Sequence, residues 1–517
     1  MVKKNFKKKD WLAAFCVTLF ILIVGALHLT KGVPDWGDDF AAYISEGIAI
    51  ADGNFHEQAV KNYTMHPSPL TLEASEEGLV YVWGYPLMLS AIYKLVGFDR
   101  TTFNTIIWYK LPLLLGLSLL GGVLVLFFRR RFSLRIAIVL SMLMCLSGDL
   151  FIALNNLYSD LPFLFFSMLT LLLAECFAEK AGNKSKILCG LFYGLSLWMT
   201  HEIRLNGITV CAVALLGHAL YMVKNRKQIQ KKKLWQDFLP YLVFASLAFI
   251  TEHFWLAPAT SNMSDVGRAS ASQLHMNYIA YRNMLFEYLD AIPGMHLFGL
   301  GYILAAAIII GIVLHGIKEN LHLTLLLIGT LVVDIMLPYQ QGLRYIYNIL
   351  PLLLMFATYG IRFVWRRIKK VASLTDEKTE RILHLMGTIL CIYILILPSV
   401  NHMRTGIDNM SHWSQMADQD VYSKQAVDIY NYIQRGIPKD SVIAFGKPRA
   451  LYLNTERTAI RPGQNGHKIA DADYYLEYLI SHGEFEIEKA EAARTRMKTI
   501  YENRFFRLYK VLVDPED

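Results

Sequence analysis

The chain has 517 residues, 54% of them hydrophobic and only 18% charged, with a mean hydropathy of +0.33. That is too apolar for a soluble protein of this size and points to a polytopic α-helical membrane protein. The net charge of +8 does not signal a nucleic-acid partner, because the basic residues cluster between apolar segments rather than on one domain.

The first ten residues carry five lysines and resemble a signal-peptide n-region. The apolar run that follows, Trp11 to Leu29, is too long for an h-region and shows no small-residue cleavage site, so it reads as a retained signal anchor. Length and apolarity predict about eleven membrane spans, near 11–29, 104–128, 135–153, 159–178, 187–201, 204–223, 238–256, 297–315, 321–338, 345–365 and 383–400. The polar knot Thr200-His201-Glu202-Ile203-Arg204 divides the fifth from the sixth. Basic residues fall in alternate loops: the N-terminus, Arg129-Arg130-Arg131 with Arg135, Lys180 to Lys186, Lys224 to Lys233, and Arg362 to Lys370. The positive-inside rule puts these in the cytoplasm, with the N-terminus, and an odd number of spans then puts the C-terminal part outside the cell membrane. Cys16, Cys145, Cys176, Cys189, Cys211 and Cys391 all lie in apolar segments without CxxC or metal spacing, which suits small core residues.

The expected organisation is a membrane domain over 1–400 and an extracytoplasmic α/β domain over 401–517. A loop over 30–103 would carry two interfacial helices. The first follows Gly32-Val33-Pro34-Asp35-Trp36-Gly37-Asp38-Asp39, where Phe40, Tyr43, Ile44, Gly47, Ile48 and Ala51 form one apolar stripe at helical spacing. A helix that short and half polar is predicted to lie flat at the lipid–water boundary. The second, Tyr81 to Gly97, carries the aromatic anchors Trp83, Tyr85 and Tyr93. A polar external piece is expected near 257–296, holding Asp265, Arg268, His275 and Arg282. In the tail, Ala426, Val427, Tyr430 and Ile433 make a helical stripe, Val442 to Phe445 and Phe505 to Val513 read as strands, and 471–481 and 486–500 read as helices. Asn62, Asn262 and Asn409 fit the N-x-Ser/Thr pattern on the outside, but so does Asn183 on the inside.

Several pieces, in order, resemble the GT-C membrane glycosyltransferases, in the branch with protein O-mannosyltransferases and the lipid A aminoarabinose transferase. They are Asp38-Asp39 with Tyr43 and Gly53; Gly84-Tyr85-Pro86-Leu87 with Leu95-Val96-Gly97; Asn155 to Pro162 with Asp160; Arg344-Tyr345 with Pro351; and Lys447 to Tyr452 with Thr455-Glu456-Arg457. The resemblance covers nearly the whole chain, loosely over 205–340. It implies a GT-C fold and, as substrate, a sugar carried on a polyprenyl phosphate. The acceptor stays open among glycan, lipid and protein, with membrane lipids as surroundings.

Transfer of such a sugar needs a base for the acceptor hydroxyl and positive charge for the departing lipid phosphate. Asp38 or Asp39 suits the base, and repulsion within the pair would raise the pKa of one; the resemblance slightly favours Asp38. The bland alternative is a helix cap. Asp160 is the next carboxylate, to orient the acceptor or help hold a divalent metal, for which there is no specific signature; its alternative is capping. Arg344 suits the phosphate, since a guanidinium grips phosphate through two parallel hydrogen bonds; its alternative is an interfacial arginine snorkelling to headgroups. Arg204 and His201 are further phosphate candidates, with Glu202 as a plain partner for Arg204. His66, Tyr85 and Tyr345 would line the cavity. In-line displacement would invert the anomeric centre. The competing readings are a transporter or flippase of lipid-linked sugars, which would show repeats and mid-membrane polar residues, and a membrane polysaccharide polymerase or ligase.

Overall fold

The computed structural model describes residues 6–34, 36–65, 82–179, 183–225, 234–251, 253, 269–290, 300–337, 342–371, 381–382, 385–386, 389, 399–400, 403–408, 420–463, 468–479, 492 and 495–512. The apolar segments are helices, as they must be where no water reaches the backbone and each N–H and C=O has to be satisfied within its own segment. In chain order these are α1 (Lys8–His28), the three short helices α2 (Asp39–Asp52), α3 (Phe55–Met65) and α4 (Gly84–Val96), then α5 (Leu111–Arg129), α6 (Leu134–Cys145), α7 (Gly148–Asn155), α8 (Asp160–Glu179), α9 (Asn183–Ile203), α10 (Gly207–Lys224), α11 (Leu234–Ile250), α12 (Ala271–Asp290), α13 (Leu300–Gly311), α14 (Leu321–Met336) and α15 (Leu350–Val371). A 3-10 turn, Ile106–Lys110, leads into α5, and another, Leu343–Ile349, leads into α15.

Among the described residues six helices are long and apolar enough to cross a membrane, or seven if α6 and α7, bent by 48°, form one span. Two shorter apolar helices, Trp235–Ile250 and Leu321–Met336, stand where spans are expected. The chain is therefore a multi-pass membrane protein, and the described residues do not by themselves supply the expected count of about eleven. α9 is not among the six, and the segment 383–400 lies mostly outside the described residues.

The tail holds α16 (Lys424–Gly436), α17 (Pro448–Thr455) and a five-stranded mixed sheet, β1 (Val442–Ala444), β2 (Thr458–Ile460), β3 (Tyr474–Tyr478), β4 (Met497–Glu502) and β5 (Phe506–Val511), in the order β2-β1-β3-β5-β4. β1 runs parallel to β2 and β3, while β3–β5 and β5–β4 are antiparallel. Ser423 caps α16 by accepting the N–H of Ala426, and Ala426, Ile429, Tyr430 and Ile433 form its buried stripe. Two expectations fail here. The stretch read as helix over 471–481 contains β3, and the one over 486–500 enters β4. Tyr475 and Leu476 of β3 are buried by pairing with β1 and β5, and that tertiary pairing overrides the local helical spacing.

The membrane part and the tail share one continuous hydrophobic core. Trp36, from the loop after α1, sits among Phe445, Tyr478 and Phe506, with ring centroids 5.9, 5.5 and 5.7 Å away. The same loop pairs with the start of the tail: Asp420 accepts the N–H of Val33 at 3.1 Å, and the Val421 N–H donates to the Val33 carbonyl at 3.1 Å. Beneath the loop is Lys110, fully buried, whose ammonium donates to the Thr30 carbonyl (2.8 Å), the Thr30 hydroxyl (2.9 Å), the Gly32 carbonyl and the Asn155 amide oxygen (3.2 Å).

α2 differs from the expected surface helix. It is buried on most of its circumference, from Phe40 through Gly47. A Cβ on Gly47 would approach Leu89 Cβ and the Pro86 carbonyl to 3.0 Å, so glycine is what lets α2 lie directly on α4. Gly53, at φ +81°, closes α2 in the left-handed conformation that glycine adopts without strain. The polar side of α2 is covered too: the Asn62 amide of α3 donates to Glu46 at 3.0 Å, and the Arg449 guanidinium of α17 donates to the Asn62 carbonyl at 2.9 Å. Asn62 is thus buried rather than displayed as a glycosylation acceptor.

Burial holds the Glu46 carboxyl up to about 7, against the opposing pull of the Asn62 hydrogen bond and the Arg449 charge. Its second oxygen has no hydrogen-bond partner among the described residues. A pKa raised on folding means that the folded chain holds a proton that the unfolded chain has released. Stability therefore falls as pH climbs from about 4.5 to about 7, and the full penalty, about 3 kcal/mol, applies above that. Glu46→Gln is expected to raise the thermal stability of the purified protein at pH 8 and to flatten its pH dependence between 5 and 7. An unchanged slope in melting scans would show that Glu46 is not the responsible group.

Candidate active site

The candidate residues come from segments far apart in sequence, and the helix ends bring several of them to one face. Asp39 opens α2, Asp160 opens α8, Arg204 follows the end of α9, and Arg344 and Tyr345 lie in the 3-10 turn before α15. Arg344 donates through both terminal nitrogens to one Asp39 oxygen, each at 3.2 Å. Arg204 donates to Asp160 in a tight ion pair. Tyr345 joins the two pairs: its ring lies 4.5 Å from the Arg204 guanidinium and 5.6 Å from that of Arg344. Tyr158 supports Arg344 from another side at 5.0 Å. These cation–π contacts fix each guanidinium plane while leaving its edges for anions.

The two pairs differ in exposure. Asp160 is buried to 2% and Arg204 to 14%, whereas Asp39 and Arg344 keep 27% and 26%. A closed pair braces the helix ends; an open pair can exchange its partner for a ligand. A hydroxyl hydrogen bond of 2.9 Å between Tyr43 and Ser159 ties α2 to the segment before α8, and so holds Asp39 and Asp160 in a fixed relation. Burial, reinforced by the Asp39 charge, pushes the Tyr43 phenol far above its ordinary range, so it stays neutral.

Asp38 is occupied elsewhere. It is buried and makes no side-chain cap on its own helix. Its carboxylate accepts the backbone N–H groups of Arg449 (3.4 Å) and Ala450 (3.0 Å) in the first turn of α17, where a helix favours negative charge. The adjacent carboxylates therefore do different things: Asp38 clamps the tail, and Asp39 faces Arg344. The resemblance slightly favours Asp38, and Asp38 is the carboxylate that the tail engages.

The remaining candidates are placed as follows. His201 lies beside Glu202 (3.4 Å) and edge-on to Phe244 (5.9 Å). The Thr251 hydroxyl donates to Glu202 at 3.4 Å. Tyr85 is fully buried with its ring 5.0 Å from that of Tyr43, and its hydroxyl has no hydrogen-bond partner among the described residues. His66, Asp265 and Arg268 lie outside the described residues. His275 and Arg282 belong to α12, which replaces the expected polar loop over much of its length; its Asn277 donates to the carbonyls of Ile335 (3.1 Å) and Leu337 (2.7 Å) at the end of α14. Among the described residues, no group of three or more His, Cys, Asp or Glu stands close enough to hold a metal ion.

Sequence reading missed two members of this region. Tyr158 stands in the sequence only as one residue of the Asn155 to Pro162 motif. Asp334, on α14, is fully buried, and neither carboxylate oxygen has a hydrogen-bond partner among the described residues; Arg204 is the cation acting on it. A lone carboxylate inside an otherwise apolar helix was the signal that could have found it.

The exposure difference yields a stability forecast. Arg204→Ala strands the buried Asp160 charge and is expected to cost roughly 3–5 kcal/mol. Arg344→Ala opens a half-solvated pair and should cost about 1 kcal/mol or less. Melting temperatures of the two purified variants check this; equal losses would mean that the pairs are equally structural.

No family model matches the sequence, and no curated protein matches it. The fold does have known counterparts. The chain is similar to the crystal structure of ArnT from Cupriavidus metallidurans in the apo state, at 12% identity and a TM-score of 0.50 over 97% of this chain and 98% of that one. The same protein bound to undecaprenyl phosphate aligns over the same shares at 12% identity and a TM-score of 0.48. An oligosaccharyltransferase of Archaeoglobus fulgidus, in complex with Zn and sulfate, aligns at 11% identity and a TM-score of 0.48 over 96% of this chain and 72% of that one. At such identities the likeness concerns the fold alone, and this multi-pass membrane protein shares its fold with the apo ArnT structure.

Proposed function

We propose that the chain is a membrane glycosyltransferase that moves a sugar from a polyprenyl-phosphate donor to an acceptor hydroxyl, with inversion. The observation that carries this reading is the half-open Arg344–Asp39 pair on the face where the helix ends and the tail meet. Arg344 leaves Asp39 to grip the donor phosphate, held in plane by Tyr158 and Tyr345. Asp39, released, accepts the proton of the acceptor hydroxyl. The acceptor oxygen bonds to the anomeric carbon as the bond from that carbon to the phosphate oxygen breaks. The electron pair departs with the lipid phosphate, whose charge Arg344 stabilises. Arg204 and Asp160 brace the site from behind, and the tail, clamped by Asp38, covers it. By the distribution of basic residues this face is extracytoplasmic.

Donor, acceptor and direction are tested together by transfer from a synthetic polyprenyl-phosphate sugar, with the purified full chain and its variants. Asp39→Asn should bind donor and lose roughly 100- to 10,000-fold in transfer rate, the cost of a missing general base. Asp38→Asn should keep most of its rate while lowering the melting temperature, because a neutral amide holds the first turn of α17 less well than a carboxylate. If Asp39→Asn transfers normally, the base assignment is wrong. If wild type binds the donor and moves it between leaflets but transfers no sugar, the chain is a flippase.

A further inference from the structure

On the face opposite Asp39 and Arg344, a cavity of about 280 Å³ opens between the helix ends. Four arginines line it against two glutamates. Two of the arginines are already matched: Arg130 donates to Glu175 (2.6 Å) and Glu179 (2.7 Å), and Arg131 pairs with Glu175. The other glutamate, Glu319, lies 3.4 Å from His315. That leaves Arg362 and Arg366, one turn apart on α15, with no ion-pair partner among the described residues. Arg362 rests on the Phe132 ring at 5.7 Å, which orients its plane and does not neutralise it.

Two further features mark the place. A π-helical turn, Ile312–Gly316, interrupts the helix opposite and sets His315 flat against Tyr359 at 4.4 Å in the cavity wall. Such turns are a local cost of backbone geometry, often kept where a site needs a side chain re-aimed. Beside the arginines on α15, Ile361, Val364, Trp365 and Ile368 are exposed along one stripe. A charged cavity next to an apolar stripe at the end of a membrane span matches a molecule that is anionic at one end and apolar at the other.

We propose that this cavity binds the phosphate of an anionic membrane lipid, with Arg362 and Arg366 taking the headgroup and the Ile361–Ile368 stripe taking the chains. The site is separate from the proposed transfer site. It would fix this end of α15, the helix whose other end is reached through Arg344, to the lipid surface.

The test uses the purified full chain and Arg362→Gln/Arg366→Gln. Both residues are partly or fully exposed, so the substitution should leave the fold intact, and melting temperatures verify it. Lipid retention is measured by native mass spectrometry after incubation with equal amounts of phosphatidylglycerol and phosphatidylcholine. Wild type should retain phosphatidylglycerol preferentially, and the double variant should lose roughly tenfold or more of that preference, the effect of removing one or two charge-assisted hydrogen bonds. A parallel arm adds inorganic phosphate without lipid. A phosphate-dependent rise in wild-type melting temperature that the variant lacks, with no lipid preference, supports the phosphate chemistry but assigns it to a free anion. No lipid preference in wild type together with no response to phosphate overturns the proposal, as does equal preference in wild type and variant.

Discussion

A buried ammonium cannot go unsolvated, and the Lys110 side chain is shut off from bulk solvent. It must draw oxygen acceptors from the chain, and it takes them from the loop after α1 and from Asn155 at the end of α7. Asn155 in turn accepts the Thr30 N–H at 2.8 Å and donates to the His28 carbonyl at 2.9 Å. The loop so fixed runs on to Trp36, Asp38 and Asp39; the segment after Asn155 runs on to Tyr158, Ser159 and Asp160. One cation therefore sets the relative positions of the two strings of residues that build the candidate site. Asp420, whose carboxylate holds the loop from the tail side, acts on the same lysine through its charge.

With that frame fixed, division of labour follows from burial. Adjacent residues on a helix point in different directions, about 100° apart. Asp38 turns toward the tail and meets backbone donors in a dry place, where a charge is best used to hold structure. Asp39 turns toward Arg344 in a half-open place, where a charge can change partners. The arginine pairs divide in the same way, Arg204 with Asp160 closed and Arg344 with Asp39 open. Under the proposed function the closed pair would brace the helix ends while the open pair meets the donor phosphate.

The long apolar segments were readable because length and apolarity alone define them; Trp11–Leu29 is met by Lys8–His28, and 159–178 by Asp160–Glu179. A helix over 81–97, expected from an amphipathic stretch with the aromatic anchors Trp83, Tyr85 and Tyr93, is found as Gly84–Val96. What the sequence hid depends on distant partners. Nothing local distinguishes Asp38 from Asp39, since the donors that occupy Asp38 lie 411 and 412 residues away. The polar half of α2 read as a solvated face because Asn62 and Arg449, which cover Glu46, are not visible from the helix itself. Tyr474–Tyr478 looked helical until β1 and β5 paired with it. Arg344, Arg204 and Tyr345 were each named as candidates, but only the packing of helix ends revealed that Tyr345 lies between both guanidiniums.

The central claim is that Arg344 exchanges Asp39 for the donor phosphate. Its most direct measurement is the affinity of purified protein for a synthetic polyprenyl phosphate, which carries the leaving group without the sugar, in wild type, Arg344→Lys and Asp39→Asn. The account predicts that Arg344→Lys binds more weakly, because a point charge cannot reproduce the two-pronged grip, and that Asp39→Asn binds at least as tightly as wild type, because the competing carboxylate is gone. Undiminished binding by Arg344→Lys and by Arg344→Ala alike would contradict it.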